Sequence, residues 1–292
     1  MIHLVKQDDL DWDKWDAAVR KDPSGHFYAL HWYLDMIAQR WDALVYGDYQ
    51  WVMPLVHNKK WGVIPYLYRP YGVQQLGIFG KEPVTEDITG AFIKAIPRKY
   101  VHRDLYFNVD NPFPANIKHR MRRTYELSLA QSYQDIYNGY SKSINRKLKK
   151  AKKAQLRIFE NDTPDTLILL FKKNKGKEVD FNDWHYDRMR QIMYTLIYRK
   201  MGAVWTVHDE RNSPCASCFI AFTGKRMVFL FSGQDAYGRD HGAMTMLIDN
   251  ALMWGAERGG VFDFEGSDIP GLERFYQSFG ATMREYANYR QL

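Results

Sequence analysis

Between Met244 and Trp254 the apolar residues Met244, Leu247, Ile248, Ala251, Leu252 and Trp254 recur at the spacing that buries one face of a helix, and Gly259-Gly260 ends it. Directly afterwards the period drops to two. Val261-Phe262-Asp263-Phe264-Glu265 is predicted to be a short strand, with Val261, Asp263 and Glu265 on one face and the two Phe on the other. Gly266-Ser267-Asp268-Ile269-Pro270-Gly271 breaks that strand, and residues 272–279 form a second short helix stopped by Gly280. Ahead of the first helix, Gly238-Arg239-Asp240-His241-Gly242-Ala243 reads as a loop that opens it.

The same succession occurs twice. Helices are predicted over 9–22, ended by Pro23-Ser24-Gly25, and over 28–41, followed by short strands at 44–46, 51–56, 63–67 and 76–79, a helix over 85–96 and a strand at 105–109. A basic connection through Arg120 and Arg123 follows. Strands at 204–207, 215–222 and 227–232 come next, and the helix from Gly242 and the strand at Val261 complete the second round. Antiparallel strands, then a helix, then a strand in each half predict two copies of one α/β unit. The domains are expected at 1–137 and 138–292, with the last residues packing back on the first. Between the halves, Ile144, Leu148 and Ala151 lie on one stripe of a helix whose other faces carry Lys142, Arg146, Lys147, Lys149, Lys150, Lys152 and Lys153. That face is either solvated or holds an anion such as a phosphate chain or RNA backbone, with Arg146, Lys149, Lys150 and Lys153 the candidate contacts.

The chemistry concentrates in the C-terminal stretch. A loop opening a helix presents unpaired N–H groups and the positive end of the helix dipole, so Gly242 and Ala243, with Arg239 and His241 beside them, are candidates to hold a phosphate or an oxyanion. Asp263 or Glu265 could take a proton from an amine, and Tyr276 could return one to a leaving group. Against these stand plain structural roles. The carboxylates could pair with Arg274 or Arg284, and Tyr276 could simply pack.

These residues resemble a family. Arg239-x-x-Gly242-Ala243 before a helix, with Phe275-Tyr276-x-x-Phe279-Gly280-Ala281 after the next strand, is similar to the acyl-CoA loop and Tyr-containing element of N-acetyltransferases (GNAT). Phe262-Asp263-Phe264-Glu265-Gly266 followed by Leu272-x-x-Phe275-x-x-x-Phe279-Gly280 resembles the FemAB family of peptidoglycan-bridge aminoacyltransferases and its bacterial relatives. Tyr33-Leu34-Asp35, Val52-Met53-Pro54-Leu55, Gln74-Gln75-Leu76-Gly77-Ile78-Phe79 and the basic helix extend the likeness over most of the chain. The resemblance implies an α/β (α+β) fold of two tandem GNAT-like domains, each a mixed, mostly antiparallel sheet flanked by helices. It implies an acyltransferase with no tightly bound cofactor, using acyl-CoA or aminoacyl-tRNA as co-substrate and an amine acceptor, small or lipid-linked, such as a cell-envelope precursor. Two positions depart from the pattern. Met244 stands where a small residue lets the backbone approach a pyrophosphate, and Tyr276 stands where the peptidoglycan enzymes resemble one another in having Lys. The first half has no counterpart of Arg239-x-x-Gly242, so donor handling is expected in the second half, with the first an acceptor wall or structural partner.

Composition adds limits. The chain has 292 residues, long enough for two ordinary domains, and 46% hydrophobic content supplies two cores. Aromatic content of 15% is enough for core packing and for a ring-lined cleft. A formal charge of +7 favours anionic partners, tRNA included, with no DNA expected. No apolar run reaches a membrane span, and the first residues lack a signal-peptide plan, so a cytoplasmic protein is expected, with room for a peripheral membrane contact. Cys215 and Cys218 sit in a strand-like run and are expected to pack, with no metal site. Lys172 to Lys177 look like an exposed basic loop, and Asp183-Trp184-His185-Tyr186 a pocket lining or a structural segment. The absence of Gly-x-x-x-x-Gly-Lys-Ser/Thr, Gly-x-Ser-x-Gly, His-Glu-x-x-His and Gly-x-Gly-x-x-Gly sets aside P-loop NTPases, serine hydrolases, zinc proteases and dinucleotide oxidoreductases. The competing class is a non-catalytic tandem GNAT-like protein that binds a phosphate-bearing ligand through the basic helix.

Overall fold

The computed structural model describes residues 1–176, 178–266 and 270–291; Lys177, Ser267, Asp268 and Ile269 of the turn singled out above, and Leu292, lie outside the described residues. The chain forms two compact units, Met1–Arg123 with Arg284–Leu292, and Thr124–Met283.

The first unit runs β1 (Ile2–Lys6), α1 (Trp12–Lys21), α2 (His31–Ile37), β2 (Trp41–Tyr46), β3 (Trp51–Lys60), β4 (Ile64–Leu67), β5 (Phe79–Gly80), α3 (Glu86–Ala95) and β6 (His102–Tyr106). Asp11 caps α1 by accepting from Lys14 N, and Thr85 caps α3 by accepting from Ile88 N, so both helices begin where a short polar side chain can satisfy an orphan amide. The predicted helix over 28–41 is cut to α2 because Ala38 turns extended and Trp41 opens β2, its ring packed on Trp15 at 5.0 Å and its indole N–H given to Asp35. The sheet order is β1-β2-β3-β4-β6, closed by residues of the last strand, β13 (Thr282–Gln291), through Asn288↔Tyr106 to Gln291↔Arg103; every pair is antiparallel except β4–β6. Leu44, Leu55, Phe92, Phe107 and Tyr100 fill a core between this sheet and α3.

The second unit begins at Thr124, ahead of the boundary expected at 138. The segment from Arg120 to Arg123, taken as a connection, is the first half of a strand, β7 (Arg120–Ser128), whose buried residues Tyr125 and Leu127 lie in the second core. There follow α4 (Tyr133–Asn138), α5 (Lys142–Lys153), β8 (Arg157–Asp162), α6 (Pro164–Asn174), α7 (Asp183–Tyr198), β9 (Gly202–His208), β10 (Pro214–Phe222), β11 (Arg226–Gln234), α8 (Ala236–His241), α9 (Ala243–Ala256), β12 (Val261–Asp263) and α10 (Pro270–Gln277). Its sheet order is β8-β9-β10-β11-β12-β7, antiparallel except for β11–β12.

The two sheets therefore share one plan. In each, two helices link the first strand to the second, three antiparallel strands follow in order, the fourth pairs in parallel with the next, and a strand from elsewhere in the chain closes the row. No helix among the described residues is long and apolar enough to cross a membrane.

Candidate functional site

The parallel pair of the second unit is short. Arg226↔Val261, Met227↔Phe262 and Val228↔Asp263 are the only matched positions, yet β11 continues to Gln234. Past Asp263 the chain turns away: Phe264 N donates to the Tyr125 carbonyl, and Glu265 adopts a left-handed backbone at φ 58°. Among the described residues no strand covers this edge of β11 from Phe229 onward, while its other edge stays paired to β10 as far as Ala216↔Gln234. An uncovered strand edge presents backbone donors and acceptors that want a partner.

A buried charge cluster pins the closed end of the split. Arg226, 4% exposed, gives one guanidinium nitrogen to Glu126 at 2.7 Å and to Asp263 at 2.8 Å, which ties β11 to β7 and β12. The other Asp263 oxygen accepts from Thr124 Oγ1 at 3.0 Å and from Glu265 N at 2.9 Å. Asp263, a candidate base from sequence, is thus enclosed and committed to Arg226, whereas Arg284 pairs with Asp110 in the first unit. Through its contact to the Glu265 amide it fixes the backbone at the turn. A buried carboxylate with its lone pairs occupied this way is poorly placed to accept a substrate proton.

Glu265 is half-buried, and its left-handed φ is uncommon for a residue with a Cβ, a conformation that concentrates at functional positions. Tyr276 on α10 is 7% exposed, with its ring 4.8 Å from Phe264 and 6.1 Å from Tyr125. Burial, followed by the negative charges of Glu265 and Asp263, pushes its phenol well above the ordinary range, so it stays protonated at neutral pH. Among the described residues its hydroxyl takes part in no hydrogen bond.

The predicted loop at 238–243 is a helical turn. Asp235 caps α8 by accepting from Gly238 N, and Gly238 is a glycine because a Cβ there would run into the Cys215 carbonyl of β10. Gly242, at φ 78°, closes α8 and starts α9, and its amide donates to the Gly238 carbonyl. A Cβ on Gly242 would sit 2.8 Å from the Lys147 carbonyl of α5, so this glycine permits helix-to-helix contact. The Gly242 amide is therefore not the free donor expected from sequence. Ala243 and Met244 are buried in the core, and His241 stacks on Tyr237 at 4.0 Å with Nδ1 donating to its carbonyl. Arg239 is exposed, as is Asp240 beside it, and lies near enough to Glu178 to add to the lowering that Lys175 chiefly causes there.

Helix α5 lies against α8 and α9 with Ile144 and Ala151 buried and Leu148 half-buried, the predicted stripe. Its Lys147 reaches over the Phe275 ring of α10 at 5.0 Å. Arg146, Lys149, Lys150 and Lys153 are exposed and have no acidic partner among the described residues. Cys215 and Cys218 are buried in β10, the first thiol pushed up to about 12 by burial, which suits packing and not thiolate chemistry. His185 caps α7 with Asn182.

Sequence reasoning missed Thr124, Glu126 and Arg226, and named Lys147 only as part of the basic face. It also missed Asp249 of α9, whose carboxylate accepts from Tyr133 at 2.7 Å and Tyr140 at 2.9 Å and is raised by burial. Arg226 had a signal: a cation opening the apolar strand Met227-Val228-Phe229-Leu230-Phe231. Glu126 and Thr124 had none, being about a hundred residues or more from their partners.

The acetyltransferase (GNAT) domain family matches residues 139–276. That stretch resembles an acetyltransferase (GNAT) domain. The crystal structure of FemX superposes with a TM-score of 0.70 at 12% identity, over 96% of each chain. L-PGS from Bacillus licheniformis gives 0.55 at 11% identity, over 96% of this chain and 91% of that one. The tandem GNAT protein from the clavulanic acid biosynthesis pathway gives 0.55 at 10% identity, over 99% and 98%. At these identities the likeness is one of fold, a mixed α/β fold shared with FemX and with a tandem GNAT protein. No curated protein matches the chain by sequence.

Proposed function

We propose that the second unit moves an acyl or aminoacyl group from an activated donor to an amine, with the donor's arm extended along the open edge of β11. The observation that carries this reading is the parting of β11 and β12 after Val228 and Asp263, with Glu265 immediately beyond the split and Tyr276 packed beside it. An extended ligand can add to a free edge as an extra strand, using the backbone groups from Phe229 to Ser232. In this scheme Glu265 accepts the proton of the attacking amine, the new C–N bond forms, and the bond from the acyl carbon to the leaving atom breaks as Tyr276 gives that atom its proton. Asp263 and Arg226 hold Glu265 in place.

The donor favoured by the residues is an ester carried on RNA, that is, aminoacyl-tRNA. A thiol has an ordinary pKa of about 8.5 and leaves readily as the thiolate, whereas an alkoxide needs a proton and is matched by a weak acid such as the buried Tyr276. The unpaired cations Arg146, Lys149, Lys150 and Lys153 suit an RNA backbone. Meanwhile α8 occupies the turn where a pyrophosphate cradle was expected. Acyl-CoA is the second reading, favoured by the match to an acetyltransferase domain, with Arg239 the exposed cation left to meet its phosphates. The acceptor is an amine on a small or lipid-linked molecule, with a cell-envelope precursor suggested by the FemX-like fold, and a charged-tRNA donor implies a cytoplasmic reaction.

The test is donor consumption with a mixed aminoacyl-tRNA pool and, separately, acetyl-CoA, each with an amine-bearing cell-wall precursor. Glu265→Gln should slow either reaction by about 100-fold or more, and Tyr276→Phe should do so for the ester more than for the thioester. Unchanged rates in both variants would remove these assignments. Consumption of neither donor, together with salt-sensitive phosphate binding that survives both substitutions, would favour the non-catalytic reading.

A further inference from the structure

The tip of the β3–β4 hairpin is built against its own fold. Val63 N donates to the Lys60 carbonyl, and Trp61 at φ 53° and Gly62 at φ 77° occupy the two central positions of a type I′ turn. Such turns favour Asn-Gly or Asp-Gly, because a side chain at positive φ is strained. This chain places its largest side chain there, and the fold gains nothing from it: Trp61 is 77% exposed, Val63 is 72% exposed, and a Cβ on Gly62 would meet nothing.

The neighbours give the exposed pair a charge context. Lys59 and Lys60 are exposed, with Lys60 Nζ 4.6 Å above the Trp61 ring. The parallel register Tyr66↔His102 brings the start of β6 alongside β4, adding exposed Arg98, Lys99, Val101 and His102 at the same end of the sheet. Neither 57–69 nor 97–103 contains an acidic residue. A wedge of Trp and Val ringed by lysines has the layout of a membrane-surface contact, the indole resting at the interface and the cations meeting lipid phosphates.

We infer that this hairpin docks the first unit on an anionic lipid surface, with Trp61 and Val63 inserted and Lys59, Lys60, Arg98 and Lys99 on the headgroups. The inference stands apart from the transfer chemistry. It is tested by flotation of the full chain with vesicles of phosphatidylcholine alone and with about one-third phosphatidylglycerol, at low and physiological salt, together with thermal melting. Wild type should float with the anionic vesicles only, more weakly as salt rises. Trp61→Asn should bind at least about tenfold more weakly while melting no lower than wild type, since Asn-Gly suits the turn. No binding by wild type, undiminished binding by Trp61→Asn, a lowered melting temperature in that variant, or binding that depends on Lys149 and Lys150 instead would each overturn it.

Discussion

The two units share a strand order and differ at one place, the point where the parallel pair parts. In the first unit, β4 and β6 match at only Tyr66↔His102 and Leu67↔Arg103, and the chain then fills the gap itself: Leu76 bridges Phe107, and Ile78 N and O both bond the Asn111 side chain. Asn108 adds a bond to the Ile78 carbonyl, and Gln75 accepts from Val109 N. In the second unit no strand among the described residues covers the corresponding edge of β11, and a buried Arg226 between Glu126 and Asp263 ties its closed end. One architecture thus yields a plugged copy and an open copy. The proposed placing of the donor in the second unit follows this difference, since among the described residues the parting of the parallel pair is filled by the chain in the first unit and not in the second.

The comparison breaks most visibly at Arg226. Arg226→Met leaves Glu126 and Asp263 buried without their cation, so the second unit should lose about 3–5 kcal/mol, read as a lowered denaturation midpoint. A loss below about 1 kcal/mol would mean that the cluster does not hold the split. In the first unit, Asn111→Ala removes the partner of Ile78 N and one of the two partners of its carbonyl, and should cost about 1–3 kcal/mol. Donor turnover should stay within about twofold of wild type, since the plug holds no catalytic group; a large fall would make the first unit part of the donor site. The smallest effect is alkaline. Tyr133, Tyr140 and Tyr276 in the second unit are raised by burial and by nearby carboxylates, against Tyr100 in the first. The stability they supply is complete below about pH 10 and is lost as the pH climbs toward their folded values, because the unfolded phenols ionise first. Hydrogen exchange of peptides from each unit should therefore show the second loosening first above that pH, and the reverse order would contradict the assignment.

Much of this was legible in the chain. The period-3.6 stripe of α9, the Phe262/Phe264 alternation and the stripe of α5 placed those elements, and the recurring order of strands and helices announced two copies. The strands β1, β7, β8 and β13 escaped because they carry charged residues along an exposed or half-exposed run, as in Arg120, Arg122 and Arg123. At the proposed site, Glu265 and Tyr276 were named because acid and phenol flank a turn. The roles of Gly238 and Gly242 were not, because a glycine demanded by a neighbouring strand or helix looks, in sequence, like one demanded by a ligand. Asp263 looked equivalent to Glu265 until the distant Arg226 and Thr124 distinguished them.

The most direct measurement is amide hydrogen exchange of the full protein with and without donor, using a mixed aminoacyl-tRNA pool in one experiment and acetyl-CoA in another. Slowed exchange across 229–232 with at least one donor, and unchanged exchange across 74–78, is the expected result. Protection confined to 74–78, or no change at 229–232 with either donor, would contradict the claim that the open edge of β11 receives the acyl arm.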